Sequence, residues 1–255
     1  MKALLSLAGT ILVAYVAIGL YLYIFQRGFI YFPTAEVMHS FQTEEFSVNN
    51  ETIKVIVLNE GNNSAIMYFG GNAENVVAEA DAFTKTFPPH TVYLISYRGY
   101  SGSSGQPTEK GLYADAQAIY DTLSGRHQSI SAIGRSLGSG VVTFLASNRE
   151  LDKIVLVTPF DSAQHIAQDT YPIYPMSLLL KDKYDSIGRV KEINSPVLVV
   201  IADKDWVIPL KYQQKLVDAF PPSQVAVKVI KGAGHNSVSL NNEYYVVLQE
   251  FLKGY

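Results

Sequence analysis

The chain has no cysteine among its 255 residues, which excludes a disulfide framework, a thiolate nucleophile and cysteine-based metal sites. Any covalent chemistry must then fall to a hydroxyl. Charge is also scarce: 17% of residues are Asp, Glu, Lys or Arg, the net charge is -3, and no run of Lys or Arg stands out. A nucleic-acid surface needs clustered positive charge, so that class of partner has no support. There is no internal repeat and no low-complexity linker, and the length beyond the first thirty residues suits one domain with a full core. The glycine-rich turn at residues 99–105 lacks both the Gly-x-Gly-x-x-Gly spacing and a Gly-Lys-Ser/Thr ending, so it is no phosphate cradle.

Residues 3–25 carry no charge at all. About 23 residues at a rise of 1.5 Å come to roughly 34 Å, enough to cross the hydrocarbon core of a bilayer. A cleaved signal peptide calls for a shorter apolar region and a small-residue cleavage site, whereas this segment ends in Tyr21, Tyr23 and Phe25, suited to a headgroup interface. The expectation is one uncleaved transmembrane anchor over residues 1–27 and a catalytic domain over 28–255. Lys2 and the terminal amine precede the span and Arg27 follows it, a small bias that puts the N-terminus in the cytoplasm and the domain outside it. Residues 26–33 remain aromatic and apolar, fit either for a membrane surface or for packing onto the domain.

After an alternating pair at residues 44–48 and 52–58, with Asn49-Asn50 as the turn, short buried runs alternate with helical segments. That is the rhythm of a parallel sheet covered on both faces. Strands are expected at 64–69, 91–97, 129–135, 153–158, 197–202 and 225–230. Helices are expected from the loop at 70–73 through about residue 87, from the capping Thr108 onward, and over 137–148, 210–219 and 242–252. Residues 159–194 read as a mainly helical stretch broken by prolines.

The run 130–133 ends in Gly134-Arg135-Ser136-Leu137-Gly138 and then reads as helix. Chance alone can supply Gly-x-Ser-x-Gly, so its context decides. A serine at a tight strand-to-helix turn needs nearly side-chain-free neighbours two before and two after it. As a nucleophile, Ser136 requires a base to take its proton and a carboxylate to fix that base's tautomer, in chain order Ser, Asp, His at the carboxyl ends of the strands. His39, His90 and His127 precede the motif and His165 lies in a helical stretch; His235, just past the last strand and flanked by glycines, is the candidate base. The strand at 197–202 runs into Asp203-Lys204-Asp205. Asp205 is favoured because it lies deeper in the loop, with Asp203 and Asp161 as alternatives. The oxyanion of an acyl transfer needs two aimed backbone N–H groups, assigned to Leu137 after the nucleophile and to Asn72 in the loop after the third strand.

Gly-Asn-Ala-Glu-Asn at 71–75, Ser-Tyr-Arg-Gly-Tyr-Ser-Gly-Ser-Ser-Gly-Gln-Pro-Thr at 96–108, Gly-Leu-Tyr-Ala-Asp at 111–115, Gly-Arg-Ser-Leu-Gly at 134–138, Asp205 and Gly-Ala-Gly-His-Asn at 232–236 resemble the α/β-hydrolase-domain serine hydrolases. The similarity is to the branch of membrane-associated protein depalmitoylases and their bacterial relatives. The resemblance implies an α/β-hydrolase fold with an eight-stranded, mostly parallel sheet, and the same roles for Ser136, Asp205, His235, Asn72 and Leu137. It also implies hydrolysis of esters or thioesters, with lipid-like or fatty-acyl small molecules or acylated proteins as substrates, and no metal or organic cofactor. A membrane-bound peptidase or amidase and a non-catalytic scaffold of the same fold are the alternatives. One position departs from the pattern: Gly70 stands where the family usually has His before the oxyanion loop, which is expected to loosen the loop or open space near the site.

Overall fold

The computed structural model describes residues 1–253. Helix α1, Lys2–Ile30, is 29 residues long and apolar around its whole circumference. It runs past the anchor boundary expected at residue 27, because Gln26 and Arg27 find partners on the domain and the helix continues to Ile30. It ends where the Tyr31 N–H turns back to the Arg27 carbonyl at 2.9 Å, just ahead of Pro33, whose ring cannot join a helix interior. Beyond it the chain packs onto the domain: Tyr31 is buried, its hydroxyl 2.8 Å from that of Tyr184.

The strands are β1 (Gln42–Val48), β2 (Glu51–Leu58), β3 (Ser64–Phe69), β4 (His90–Ile95), β5 (Ser129–Arg135), β6 (Ile154–Val157), β7 (Val197–Ala202) and β8 (Val225–Ile230). They form one eight-stranded sheet in the order β1-β2-β4-β3-β5-β6-β7-β8. The β1–β2 and β2–β4 pairs are antiparallel, and every pair from β4 through β8 is parallel. Strands β4, β6 and β7 are buried along their whole length, as central strands of a doubly covered sheet must be. Strand β8, at the edge, exposes Val227 and Val229.

Helices follow the alternation of side chains along the strands. On one face Ala65, Met67 and Phe69 of β3 join the core that α3 (Glu109–Leu123), α4 (Leu137–Ala146) and α7 (Leu210–Ala219) cover. On the other, Ile66 and Tyr68 meet α2 (Ala80–Thr86) and α8 (Asn242–Leu252). Thr108 caps α3 by accepting from the Gly111 N–H at 2.9 Å, as the sequence predicts.

Several boundaries differ from expectation, three of them by more than a residue or with a clear cause. The strand predicted over 91–97 stops at Ile95, where its register with β3 ends, and the chain turns away through Gly99 at φ +79°. The helix predicted to reach 148 stops at Ala146. The stretch 159–194 is helical only at α5 (Ala163–Thr170), α6 (Met176–Leu179) and a 3-10 segment, Ile187–Glu192. Pro172 and Pro175 lack the N–H that a continuous helix would need. This stretch lies over the carboxyl ends of β6 and β7 and reaches α1.

Candidate active site

Ser136 sits between β5 and α4 at φ +50°, ψ -113°, a conformation that costs on the order of 1–3 kcal/mol and is retained when its surroundings over-determine it. Two glycines permit the turn. A Cβ at Gly134 would lie 2.3 Å from the Gly138 carbonyl oxygen, and one at Gly138 would lie 2.0 Å from that of Phe69. The Ser136 N–H donates to the Val157 carbonyl of β6 at 2.9 Å, and its carbonyl accepts from the Ser139 hydroxyl at 2.6 Å. The serine hydroxyl is left facing the cavity and His235.

His235 stands on the loop after β8, with Nε2 3.0 Å from Ser136 Oγ and Nδ1 2.8 Å from Asp205 Oδ2. A carboxylate only accepts, so the Nδ1 proton points at Asp205, and Nε2 presents a lone pair to the serine hydroxyl. The Asp205 side chain is 1% exposed, and its charge is fully hydrogen-bonded. Oδ1 accepts from the N–H groups of Val207 and Ile208 at 2.9 and 2.7 Å, and Oδ2 accepts from Gln213 Nε2 at 3.1 Å. The loops carrying acid and base are joined by the Lys204 N–H donating to the Ala233 carbonyl at 2.9 Å.

The alternatives go elsewhere. Asp203 is exposed. Asp161 is buried, but it pairs with His165 Nδ1 at 2.6 Å and Lys215 Nζ at 3.0 Å. His127 lies between the Tyr93 hydroxyl and the Asn62 carbonyl, His90 is buried against Phe87 and His39 lies beside Phe41.

Asn72 and Leu137 line the same cavity as Ser136. Among the described residues, neither of their backbone N–H groups donates to another protein group, so both are free for a ligand oxygen. The Asn72 side chain is fully engaged: Nδ2 donates to the Ile30 carbonyl at 2.7 Å, while Oδ1 accepts from the Phe32 N–H at 3.0 Å and the Tyr100 hydroxyl at 2.8 Å. The end of α1 is thereby tied to the loop beside the serine.

No space opens at Gly70. A Cβ there would meet the Glu74 carboxyl group and Val76, each at 3.1 Å, so the space is filled. Glu74 accepts from the Gly71 N–H at 2.7 Å and the Tyr68 hydroxyl at 2.5 Å, and the Tyr97 hydroxyl donates to the Gly70 carbonyl at 2.7 Å. Behind this loop lies Arg135, beside the serine in sequence. Its Nη1 donates to Glu74 at 3.2 Å and lies 3.7 Å from Glu79, and its Nη2 reaches the His235 carbonyl at 3.3 Å. Burial opposes the guanidinium's charge, but the surrounding groups, Glu74 first and then Tyr68, Tyr244 and Glu79, together outweigh it, so the Arg135 pKa stands above its ordinary value. Burial also raises the Glu79 carboxyl, with the charge of Glu74 adding to it. Both Arg135 and Glu74 lie inside the motifs read from the sequence. The signal was their charge at positions that an elbow and a tight loop bury.

The cavity has a volume of about 360 Å³. Its walls are apolar: Leu22 and Phe29 of α1, Ile166 of α5, Met176 and Leu179 of α6, and Leu180. Apolar residues of the 159–194 stretch, which caps the site, form one wall, and the helix expected only to anchor contributes another. Among the described residues, no group of three or more His, Asp or Glu side chains is arranged to hold a metal ion.

No family model matches the chain. It is 34% identical over 251 residues to an uncharacterized protein of Mycobacterium tuberculosis, a match covering 90% of this chain and 88% of that one. It is also 31% identical over 166 residues to α/β hydrolase domain-containing protein 17C of Xenopus tropicalis, covering 63% of this chain and 52% of the relative. The chain belongs to the α/β-hydrolase-domain family. Solved structures agree in fold with this hydrolase-family chain: an esterase of Pyrococcus furiosus superimposes with a TM-score of 0.69 at 16% identity, covering 87% of this chain and 96% of that one. A CIB-like hydrolase of Thermoplasma acidophilum gives 0.63 at 22% identity, covering 84% and 98%. The family and fold support hydrolase activity, and the match to 17C spans only about half of that relative.

Proposed function

We propose that the chain is a membrane-anchored serine hydrolase that cleaves carboxylic esters or thioesters, with fatty-acyl substrates favoured. The observation that carries this reading is Ser136 Oγ, 3.0 Å from His235 Nε2, opening onto a cavity walled by apolar side chains.

The chemistry has two steps. His235 Nε2 takes the hydroxyl proton as Ser136 Oγ attacks the acyl carbon, and Asp205 holds the imidazole in the required tautomer and stabilises the imidazolium. The oxyanion is held by the N–H groups of Leu137 and Asn72; loss of one such donor typically costs about 10²–10³ in rate. The leaving alkoxide or thiolate receives the proton from His235, giving an acyl-serine. Water then gives its proton to the same nitrogen, attacks the acyl carbon and releases the acid. An acyl chain in the cavity gains about 0.8 kcal/mol per buried methylene, about fourfold per carbon until the space is filled.

Labelling by a fluorophosphonate probe tests the nucleophile: wild type reacts, whereas Ser136→Ala does not and His235→Ala reacts far more slowly. Labelling of Ser136→Ala equal to wild type would overturn the assignment. An ester series from acetyl to palmitoyl tests the substrate class, with kcat/KM expected to rise with chain length. A flat or falling profile counts against fatty-acyl preference.

A further inference from the structure

Helix α1 is apolar all round, yet one stripe of it faces protein: Tyr15, Gly19, Leu22, Gln26 and Ile30, spaced three or four apart as one helical face requires. Tyr15, Gly19 and Gln26 meet the segment 171–182, Leu22 lines the cavity, and the Ile30 carbonyl is held by Asn72. The Tyr15 and Tyr174 rings stack with centroids 4.7 Å apart, the Tyr174 hydroxyl donates to the Tyr15 carbonyl at 3.1 Å, and the Tyr15 hydroxyl donates to the Ile173 carbonyl at 2.9 Å. Gly19 permits the approach, since a Cβ there would lie 3.1 Å from the Tyr174 ring. Further along, Gln26 donates to the Leu179 carbonyl at 3.0 Å and accepts from the Lys181 N–H at 2.6 Å, and Arg27 pairs with Asp182 at 2.8 Å.

Charge fixes the level of this contact relative to a bilayer. Residues 171–180 contain no charged side chain, and charge resumes at Lys181-Asp182-Lys183. On α1 charge is absent from residue 3 until Arg27. The two elements therefore change from apolar to charged side by side, with Lys181 4.0 Å above the Tyr23 ring. If hydrocarbon about 30 Å thick is spanned by about 20 residues from residue 3, its near boundary falls close to Leu22. Tyr15 is seven residues deeper, roughly 10 Å at 1.5 Å per residue. Ile173 and Tyr174 are then at the same depth.

Most of the segment's backbone is paired as that medium requires, although the N–H groups of Ile173 and Ser177 donate to no protein group among the described residues. Ile173 and Leu178 are 70% and 79% exposed. Backbone polar groups in hydrocarbon must be paired within the protein. Here Pro172 and Pro175 have no N–H to pair, and the Tyr15 hydroxyl takes the Ile173 carbonyl. The Gln168 side chain donates to the Tyr174 carbonyl at 3.0 Å and accepts from the Met176 N–H at 3.1 Å. We infer that residues 171–180 are immersed in the leaflet beside α1, and that the acyl chain of a membrane-resident ester or thioester enters laterally between α1 and α6. The cavity walls at Leu22, Phe29, Met176 and Leu179 line that route to Ser136. The substrate part rests on the acyl-ester reading above; the immersion rests on these contacts alone.

The test uses the full chain in phosphatidylcholine vesicles. Trp206 is the sole tryptophan, so Trp206→Phe gives a dark background into which Ile173→Trp, Leu178→Trp and, at the opposite end of α4, Asn148→Trp are placed separately. Lipids brominated at mid-chain are expected to quench the probes at 173 and 178 at least twofold and to leave the probe at 148 unchanged. Quenching at 173 and 178 no greater than at 148 would overturn immersion, whatever the enzyme hydrolyses. Fluorophosphonate labelling of each variant verifies that the fold is intact. For lateral entry, Ile173→Asp is expected to lower turnover of a long-chain ester held in vesicles at least tenfold, with turnover of a water-soluble butyrate ester within twofold of wild type. An equal fall in both, or in neither, would overturn the route. If the wild type cleaves no ester, the acyl reading fails while the quenching result still decides immersion.

Discussion

The serine turn and the cap segment lie on the same cavity but are held by different kinds of force. At the turn, backbone sterics decide: Gly134 and Gly138 are pressed against backbone carbonyls, and Arg135, Glu74 and Glu79 form a buried charged group behind it. At the cap, geometry comes from a handful of polar contacts between α1 and residues more than 150 positions away, chief among them Gln26 with Leu179 and Lys181 and Tyr15 with Ile173. The first arrangement tolerates almost no change and suits chemistry that needs fixed distances. The second can be altered one contact at a time, which suits a surface that selects substrates.

Substitutions can break this contrast. The largest effect is expected from Arg135→Met, which leaves Glu74 and Glu79 buried without their cation. Breaking one side of a buried pair costs about 3–5 kcal/mol, read as a lower unfolding midpoint in detergent, together with loss of fluorophosphonate labelling. Gln26→Leu strands the Leu179 carbonyl and the Lys181 N–H, at about 1–3 kcal/mol for each buried group left unpaired. Its signature is selective: kcat/KM for long-chain esters falls several-fold more than for acetyl esters. A uniform fall would mean that the cap holds the reacting atoms as firmly as the turn does.

The smallest expected effect concerns pH. Burial raises the Glu79 carboxyl above its unfolded value, so between the two pKa values the folded state binds more protons than the unfolded one. The resulting stability is present below the unfolded pKa and is lost as pH rises through the folded value. Glu79→Gln is expected to flatten the decline in unfolding midpoint above about pH 4.3, the ordinary Glu value. An unchanged slope would assign the dependence to another group.

The contrast also explains what could be read from the sequence. Buried parallel strands announce themselves as short apolar runs, so β3, β5 and β7 have the bounds expected of them, as do the edge strand β8 and the helices α7 and α8. The serine turn was legible because its glycines are dictated locally. Residues 159–194 were not, since periodicity cannot foretell where a proline-broken chain takes its partners. On α1 the face toward the cap is invisible, because a helix apolar on all sides shows no stripe; Gln26, a polar residue ending an apolar run, was the one local sign. Arg135 and Glu74 were visible as residues but not as a pair, since nothing in the chain announces a contact across 61 positions.

Under the proposed function, the bond between Asn72 and the last carbonyl of α1 would make the anchor a mechanical part of the enzyme. A spanning helix adjusts its tilt to the thickness of the bilayer around it, and on that proposal such a tilt would pull on the loop carrying Asn72, one of the two proposed oxyanion donors. Removing residues 1–27 to obtain a soluble domain would therefore do more than release it from the membrane. It would strip a wall from the cavity and unwind the helical turn on which Asn72 is braced.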